Sequence, residues 1–204
     1  MLRSFIAALT VTTVLLGCGG STTKRIPGQM TSVDTSGERP DWLKGSKDFW
    51  EDGQAFYFRA SVNNQFDLAQ GRRNAKAEVV KQVAEMVKQR VRTDYYNSVK
   101  GSNTDENTLG RDVADLVAWT TDNLELSGLT PDEAFWEKFE KYDYGRVDYV
   151  YEISVVYFLL ESKYLESVRR SASTMEEQAR QQNNRAAEER AQEFSKFLYN
   201  EGEE

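Results

Sequence analysis

Between residues 67 and about 96, small and branched apolar side chains recur at three- and four-residue steps, the spacing that puts them on one side of an α-helix. Ala77, Val80, Ala84, Val87, Val91 and Tyr95 form one stripe, and Ala75, Val79, Val83 and Met86 form a second beside it. Lys76, Lys81, Glu85, Lys88 and Arg92 occupy the rest of the surface, and Asp67 stands where an N-cap belongs. Two adjoining stripes make a broad apolar face, of the kind that packs onto a sheet. The fold class that follows is α+β: a small antiparallel sheet packed by this long helix and a second helix, plus a polar C-terminal helix.

The strands for that sheet are present on both sides of the helix. Residues 54–62, Gln-Ala-Phe-Tyr-Phe-Arg-Ala-Ser-Val, are short and aromatic-rich and read as a strand that Asn63-Asn64-Gln65 breaks. Across 147–159, Tyr149, Tyr151, Ile153, Val155 and Tyr157 alternate with Val150, Glu152, Ser154, Val156 and Phe158. This run is apolar on both faces at its end, as a central strand is. Asp143-Tyr144-Gly145-Arg146 reads as the turn before it. Residues 134–140 admit two readings. Thr130-Pro131-Asp132-Glu133 is a good helix start, with Pro at N1 and Glu at N3. A hairpin partner for the 147–159 strand is also needed, since one strand cannot form a sheet alone, and the hairpin is preferred. A second helix runs from about 109 to 123, with Val113, Leu116, Val117, Thr120 and Leu124 on its apolar side.

From residue 161 onward the chain is helical and mostly charged. Tyr164, Leu165 and Val168 can dock the first turns, but apolar content falls after Ser173. The compact domain is therefore drawn at 40–168, opening on Pro40-Asp41-Trp42-Leu43 with Trp42 as an anchor, and 169–204 is drawn as a charged helical tail. Phe194, Phe197 and Leu198 form an apolar cluster within it. The tail reads either as a solvated, fraying helix or as a partner-binding helix that uses those three residues.

The N-terminal segment bears on location. One positive charge, Arg3, is followed by an apolar run too short to span a bilayer comfortably, and the run ends Leu15-Leu16-Gly17-Cys18. This has the pattern of a bacterial lipobox: a branched apolar residue, a small residue at −1 and cysteine at +1. Residues 1–17 then form a lipoprotein signal peptide, cut between Gly17 and Cys18, and Cys18 carries diacylglycerol and an N-acyl chain as the membrane anchor. Loss of Arg3 takes the Lys and Arg count from 26 to 25 against 33 acidic side chains, a net charge of −8. Residues 18–39, rich in Gly, Ser and Thr, read as a flexible tether. No Asp follows Cys18, so the expected location is the bacterial outer membrane, lipid-anchored and facing the periplasm or the cell surface.

Composition removes most enzymatic chemistry. The sequence has no histidine, which excludes Ser-His-Asp and Cys-His catalysis and His-ligated metals in cis. Its one cysteine, Cys18, excludes an intrachain disulfide and Cys-based metal sites. A net charge of −7 argues against broad nucleic-acid binding. Asn103-x-Asp105-x-Asn107 begins like a calcium loop but has Thr108 and Ala114 where Gly and Glu are required. Asp143 and Asp148 flank a turn, as ordinary turn charges do, and Gly71-Arg72-Arg73 lies on a solvated part of a helix. Trp119, Trp136, Tyr142 and Tyr144 could stack on sugars, with Trp136 and Tyr144 the candidate glycan-binding pair, although a core this small needs most of its aromatics. The expectation is no enzyme, no metal, no nucleic acid and no cofactor besides the lipid on Cys18.

Pro40-Asp41-Trp42, then Phe56-Tyr57-Phe58-Arg59-Ala60-Ser61, then Ala69, Ala75, Ala77-Glu78 and Val83-Ala84, closed by Tyr149-Val150-Tyr151-Glu152-Ile153, resembles the LPP20-type bacterial lipoproteins. The α+β layout is also similar to the N-terminal domain of flagellar assembly lipoprotein-like proteins. The resemblance covers roughly residues 40–165 and implies an envelope lipoprotein without established catalysis. The expected function is a non-enzymatic structural or adaptor component of a flagellar, secretion or cell-wall assembly, with an envelope protein as partner. The alternative is a peptidoglycan- or glycan-binding wall protein.

Overall fold

The computed structural model describes residues 26–100 and 104–200. Five strands, β1 (Met30–Thr35), β2 (Phe49–Asp52), β3 (Ala55–Gln65), β4 (Leu129–Asp143) and β5 (Arg146–Leu160), form one antiparallel sheet in the order β1-β4-β5-β3-β2. Among the described residues four α-helices accompany it, α1 (Leu68–Ser98), α2 (Glu106–Ser127), α3 (Glu161–Gln181) and α4 (Arg185–Asn200), with one short 3-10 helix at Asp41–Lys44. The fold is α+β. Residues 134–140 are strand: β4 and β5 pair from Leu129↔Leu159 to Asp143↔Arg146. Tyr144 (φ 43) and Gly145 (φ 81) both take positive φ, the geometry a tight two-residue hairpin turn requires. The helix-start reading of residues 130–133 fails because Pro131 sits beside a register shift in β4, where its missing N–H is tolerated. β5 is the central strand. β3 continues past Val62 to Gln65 through an irregular step in which Asn64 takes φ 55.

Asp67 caps α1, its carboxylate accepting from the Gln70 N–H at 2.6 Å. The buried residues of α1 are Gly71, Ala75, Val79, Val83, Val87, Val91 and Tyr95, a strict four-residue repeat that draws on both stripes of the sequence. Four residues turn an α-helix by about 400°, so each step drifts about 40° and the buried line winds around the helix. One end of the line meets the sheet and the other meets the remaining helices. At the sheet end Gly71 lies against Ile153, whose Cδ1 fills the space that an added Cβ would need. Further along, the Arg90 guanidinium lies 4.5 Å from the centre of the Phe56 ring. At the far end the Tyr95 ring meets Phe194 edge-on, 5.3 Å between centroids.

Alternation in β3 and β5 separates two faces. Phe56, Phe58, Ala60, Ile153, Val155 and Leu159 join the helix-side core. Arg59, Ser154 and Val156 are buried on the opposite face, as is Phe135 of β4. β1 and β2 lie at opposite edges of the sheet, so residues 36–48 must cross this back face as a strap. Arg59 clasps the strap: its guanidinium donates to the Trp42 carbonyl at 2.8 Å, the Gly45 carbonyl at 2.6 Å and the Asp48 carboxylate at 2.9 Å. The Trp42 indole N–H donates to Glu133 at 2.6 Å.

The sequence reading of 18–39 as one flexible tether is therefore corrected. Residues 30–35 are strand β1, hydrogen-bonded along β4 from Met30↔Lys141 to Thr35↔Glu137, and residues 36–39 begin the strap. The tether reading for residues 18–25 lies outside the described residues, as does the leader 1–17.

The domain boundary at 168 and the frayed-tail reading of 169–204 are also corrected. α3 and α4 form an antiparallel pair packed on α1 and α2, and Ala172, Met175, Ala191, Phe194 and Leu198 belong to the main core. The turn between them is specific. Asn183 takes a left-handed φ of 55, the Asn184 N–H returns to the Ala179 carbonyl at 2.9 Å, and the Asn184 side chain accepts from the Ala187 N–H at 3.2 Å. Small side chains make this packing possible: Ser167, Ser171, Ala172 and Ala179 are buried on α3 and Ala187 and Ala191 on α4. The Thr120 hydroxyl on α2 donates to Ser171 at 3.0 Å across the α2–α3 contact.

Candidate interaction surfaces

The predicted site residues are dispersed. Gly17 and Cys18 lie outside the described residues. Phe194 and Leu198, read as partner contacts, are buried in the core, and Phe197 is half-buried. Phe194 returns in the sequence because it packs against Tyr95 of α1, and Leu198 because α4 lies along α3, the Leu198 carbonyl accepting from Arg169 at 3.0 Å. The glycan-binding pair is not assembled either. Trp136 is half-buried and meets Tyr151 edge-on at 5.8 Å, whereas Tyr144 sits at the hairpin turn, 94% exposed. Eight residues of strand separate the two, about 26 Å at a rise of 3.3 Å per residue.

The weaker motifs take ordinary structural roles. Asp105 caps α2, accepting from the Thr108 N–H at 3.0 Å and the Thr108 hydroxyl at 2.7 Å, and these bonds hold its carboxyl below the usual range. Asp148 pairs with Arg146 at 3.0 Å, and Arg73 donates to the Gln70 side chain at 2.8 Å. Among the described residues no group of three His, Cys, Asp or Glu could hold a metal ion. Among them, too, no helix is long and apolar enough to cross a membrane.

Among the described residues the most buried ionic group lies in the helical half. Arg190 on α4 pairs with Asp112 on α2 at 2.8 Å, with the two side chains 8% and 15% exposed. Tyr95 on α1 donates to the same Asp112 oxygen at 2.7 Å. Burial, then the hydrogen bond and charge of Asp112, push the Tyr95 hydroxyl well above its ordinary value, and Arg190 only partly offsets this. Arg190 and Asp112 line a cavity of about 240 Å³ with Trp119 and Met175. The three polar groups serve one another. Their chemical effect is to fix α1, α2 and α4 in register.

A larger opening runs along the outer side of α1 and α2, about 710 Å³ in volume. Gly110, Ala114, Val117 and Ala118 give it an apolar floor of small side chains, and Lys88, Arg92 and Arg111 form a basic rim broken by Glu106. In a chain with a net charge of −7, this local positive charge is an exception. The spacing Gly110-Ala114-Ala118 puts three small residues on one line of α2, which was the only sequence signal for the groove. A floor of this kind admits the close approach of a helix or extended segment, and the rim favours acidic flanks.

The opposite end of the molecule is the closed end of the β4–β5 hairpin. Tyr144 projects from the turn, and Tyr149, 50% exposed, lies under the Lys138 ammonium at 4.8 Å. No family model, curated protein or solved structure matches this chain.

Proposed function

We propose that this chain is a lipid-anchored protein of the bacterial outer membrane, held through acyl chains on Cys18 and working as a non-enzymatic adaptor within an envelope assembly, as its likeness to LPP20-type lipoproteins suggests. The observation that carries the adaptor reading is the α1–α2 groove, with its small apolar floor and its basic rim of Lys88, Arg92 and Arg111. The partner it fits is an envelope protein that presents a helix or strand with acidic residues beside a small apolar face. The residues fit a binding surface better than a reaction centre: the half-buried carboxylate Asp112 is paired with Arg190, and histidine is absent from the sequence.

A photo-crosslinking residue at Ala114, exposed in the groove, tests this in living cells. The expected result is one discrete protein adduct, belonging to an envelope assembly, that is missing when the crosslinker stands at Lys196 on the exposed side of α4. No adduct at Ala114, or an equal spread of adducts at both positions, refutes the reading. The alternative, glycan binding, predicts sedimentation with purified peptidoglycan that Trp136→Ala abolishes. It has lost the Trp136–Tyr144 platform on which it was founded.

A further inference from the structure

The chain enters the fold at the closed end of the hairpin. Ile26-Pro27-Gly28-Gln29 is a turn: the Gln29 N–H donates to the Ile26 carbonyl at 3.0 Å, and Gly28 takes φ 83, the conformation its third position requires. This turn is docked on the hairpin. The Gly28 N–H donates to the Tyr142 carbonyl at 2.8 Å, and the Tyr142 N–H donates to the Gln29 carbonyl at 3.2 Å. Cys18 precedes Ile26 by eight residues, which span at most about 28 Å. The other end of the sheet, where β5 passes into α3, is 15 residues of strand away, about 50 Å. An anchor at Cys18 cannot reach that end, so the hairpin end is the one held near the bilayer.

The residues at this end suit that position. Tyr144 is 94% exposed and Ile26 63% exposed. Tyr144 occupies a left-handed position, φ 43, where Asn or Gly is the usual choice, so turn formation gives no reason for the ring. Between Lys138 and Tyr149 the cations Lys138, Lys141 and Arg146 are balanced by Glu140, Asp143 and Asp148. The hairpin itself therefore carries no net charge for anionic lipid to attract, and vesicles of zwitterionic lipid isolate its contribution from that of Lys24 and Arg25, which precede Ile26 in the sequence. A tyrosine ring, apolar in its body and polar at its tip, partitions to the headgroup boundary without net charge. One ring binds weakly on its own, but a short tether makes the contact intramolecular, at an effective concentration on the order of millimolar.

We infer that the closed end of the β4–β5 hairpin, led by Tyr144 with Ile26 at the same end, is a bilayer-contacting surface that seats in the headgroup region of the membrane holding Cys18. The inference rests on the lipid-anchor reading and adds an orientation: the hairpin lies on the membrane and the α1–α2 groove faces away from it.

The test uses the lipidated full chain in vesicles of phosphatidylcholine and phosphatidylethanolamine. Acylation makes the Cys18 sulfur a thioether, so Asp143→Cys introduces the only free thiol for a polarity-sensitive dye, with Lys196→Cys as the second labelling site. The expected result is a several-fold enhancement of emission at 143, quenched by nitroxide-bearing lipid and unchanged by high salt, with none at 196. Adding Tyr144→Asn should abolish the enhancement while keeping the fold, because Asn-Gly suits this turn. Water-like emission at 143 in a chain whose Cys18 is acylated by mass overturns the inference and leaves the anchor intact. So does an enhancement that Tyr144→Asn does not change. An unacylated Cys18 overturns the anchor reading, and the inference with it.

Discussion

Phe194→Ala measures whether the C-terminal helices belong to the folded unit. The Phe194 ring is fully buried and meets Tyr95 at 5.3 Å with an interplanar angle of 80°. Truncating a buried phenylalanine costs about 3–5 kcal/mol through lost transfer energy and the cavity left behind. The edge-on pair with Tyr95 contributes about 0.5–1.5 kcal/mol within that. For a domain whose total stability is of order 5–15 kcal/mol, the loss is about a fifth of the whole at the least. Urea unfolding of the full chain, followed by tryptophan fluorescence, should show a lower midpoint with the same slope, since the surface exposed on unfolding is nearly unchanged. Lys196→Ala, exposed on the same helix, should stay within about 0.5 kcal/mol of the parent. A solvated tail predicts that same small change for Phe194→Ala, and that result would refute the packing argument.

Other substitutions probe separate contacts. Gly71→Ala should destabilise by about 1–2 kcal/mol, as overpacking against Ile153 exceeds the gain in helix propensity, and adding Ile153→Val should recover part of the loss in the same urea assay. Asp112→Ala should cost about 3–5 kcal/mol because it strands Arg190 in a buried site, and the double change with Arg190→Met should cost less than Asp112→Ala alone. Because the folded-state value of Tyr95 lies above its ordinary 10.0, its contribution to stability is complete below pH 10 and is lost as pH rises beyond it. Tyrosinate absorbance should show Tyr95 ionising only with unfolding, and Tyr95→Phe should flatten the alkaline decline in stability.

The parts of the fold with strong apolar signals were legible in the sequence. Asp67 and the α1 pattern, the β4–β5 hairpin and the central place of β5 follow from spacing and strand propensity. The rest of the fold is buried or paired without such signals. β1 reads Met-Thr-Ser-Val-Asp-Thr because an edge strand joins the sheet through its backbone and needs little apolar side-chain surface. β2 has only four residues. α3 and α4 looked like a solvated tail because they pack through Ser and Ala, which permit close approach without raising hydrophobicity. The two stripes proposed for α1 merged into one winding line because the helix serves two sets of partners in succession. The groove was marked only by small residues spaced by four, and the strap only by an arginine within a strand. Trp136 and Tyr144 looked like a pair from composition, but strand geometry puts them far apart.

The anchor at Cys18 is the claim on which location and orientation both depend. The direct measurement is the intact mass of the protein extracted from membranes, with fragmentation of its N-terminal peptide. The account predicts a chain beginning at Cys18 that carries a diacylglyceryl thioether and an N-acyl group. A chain that retains residues 1–17, or one with a free thiol at Cys18, would contradict it.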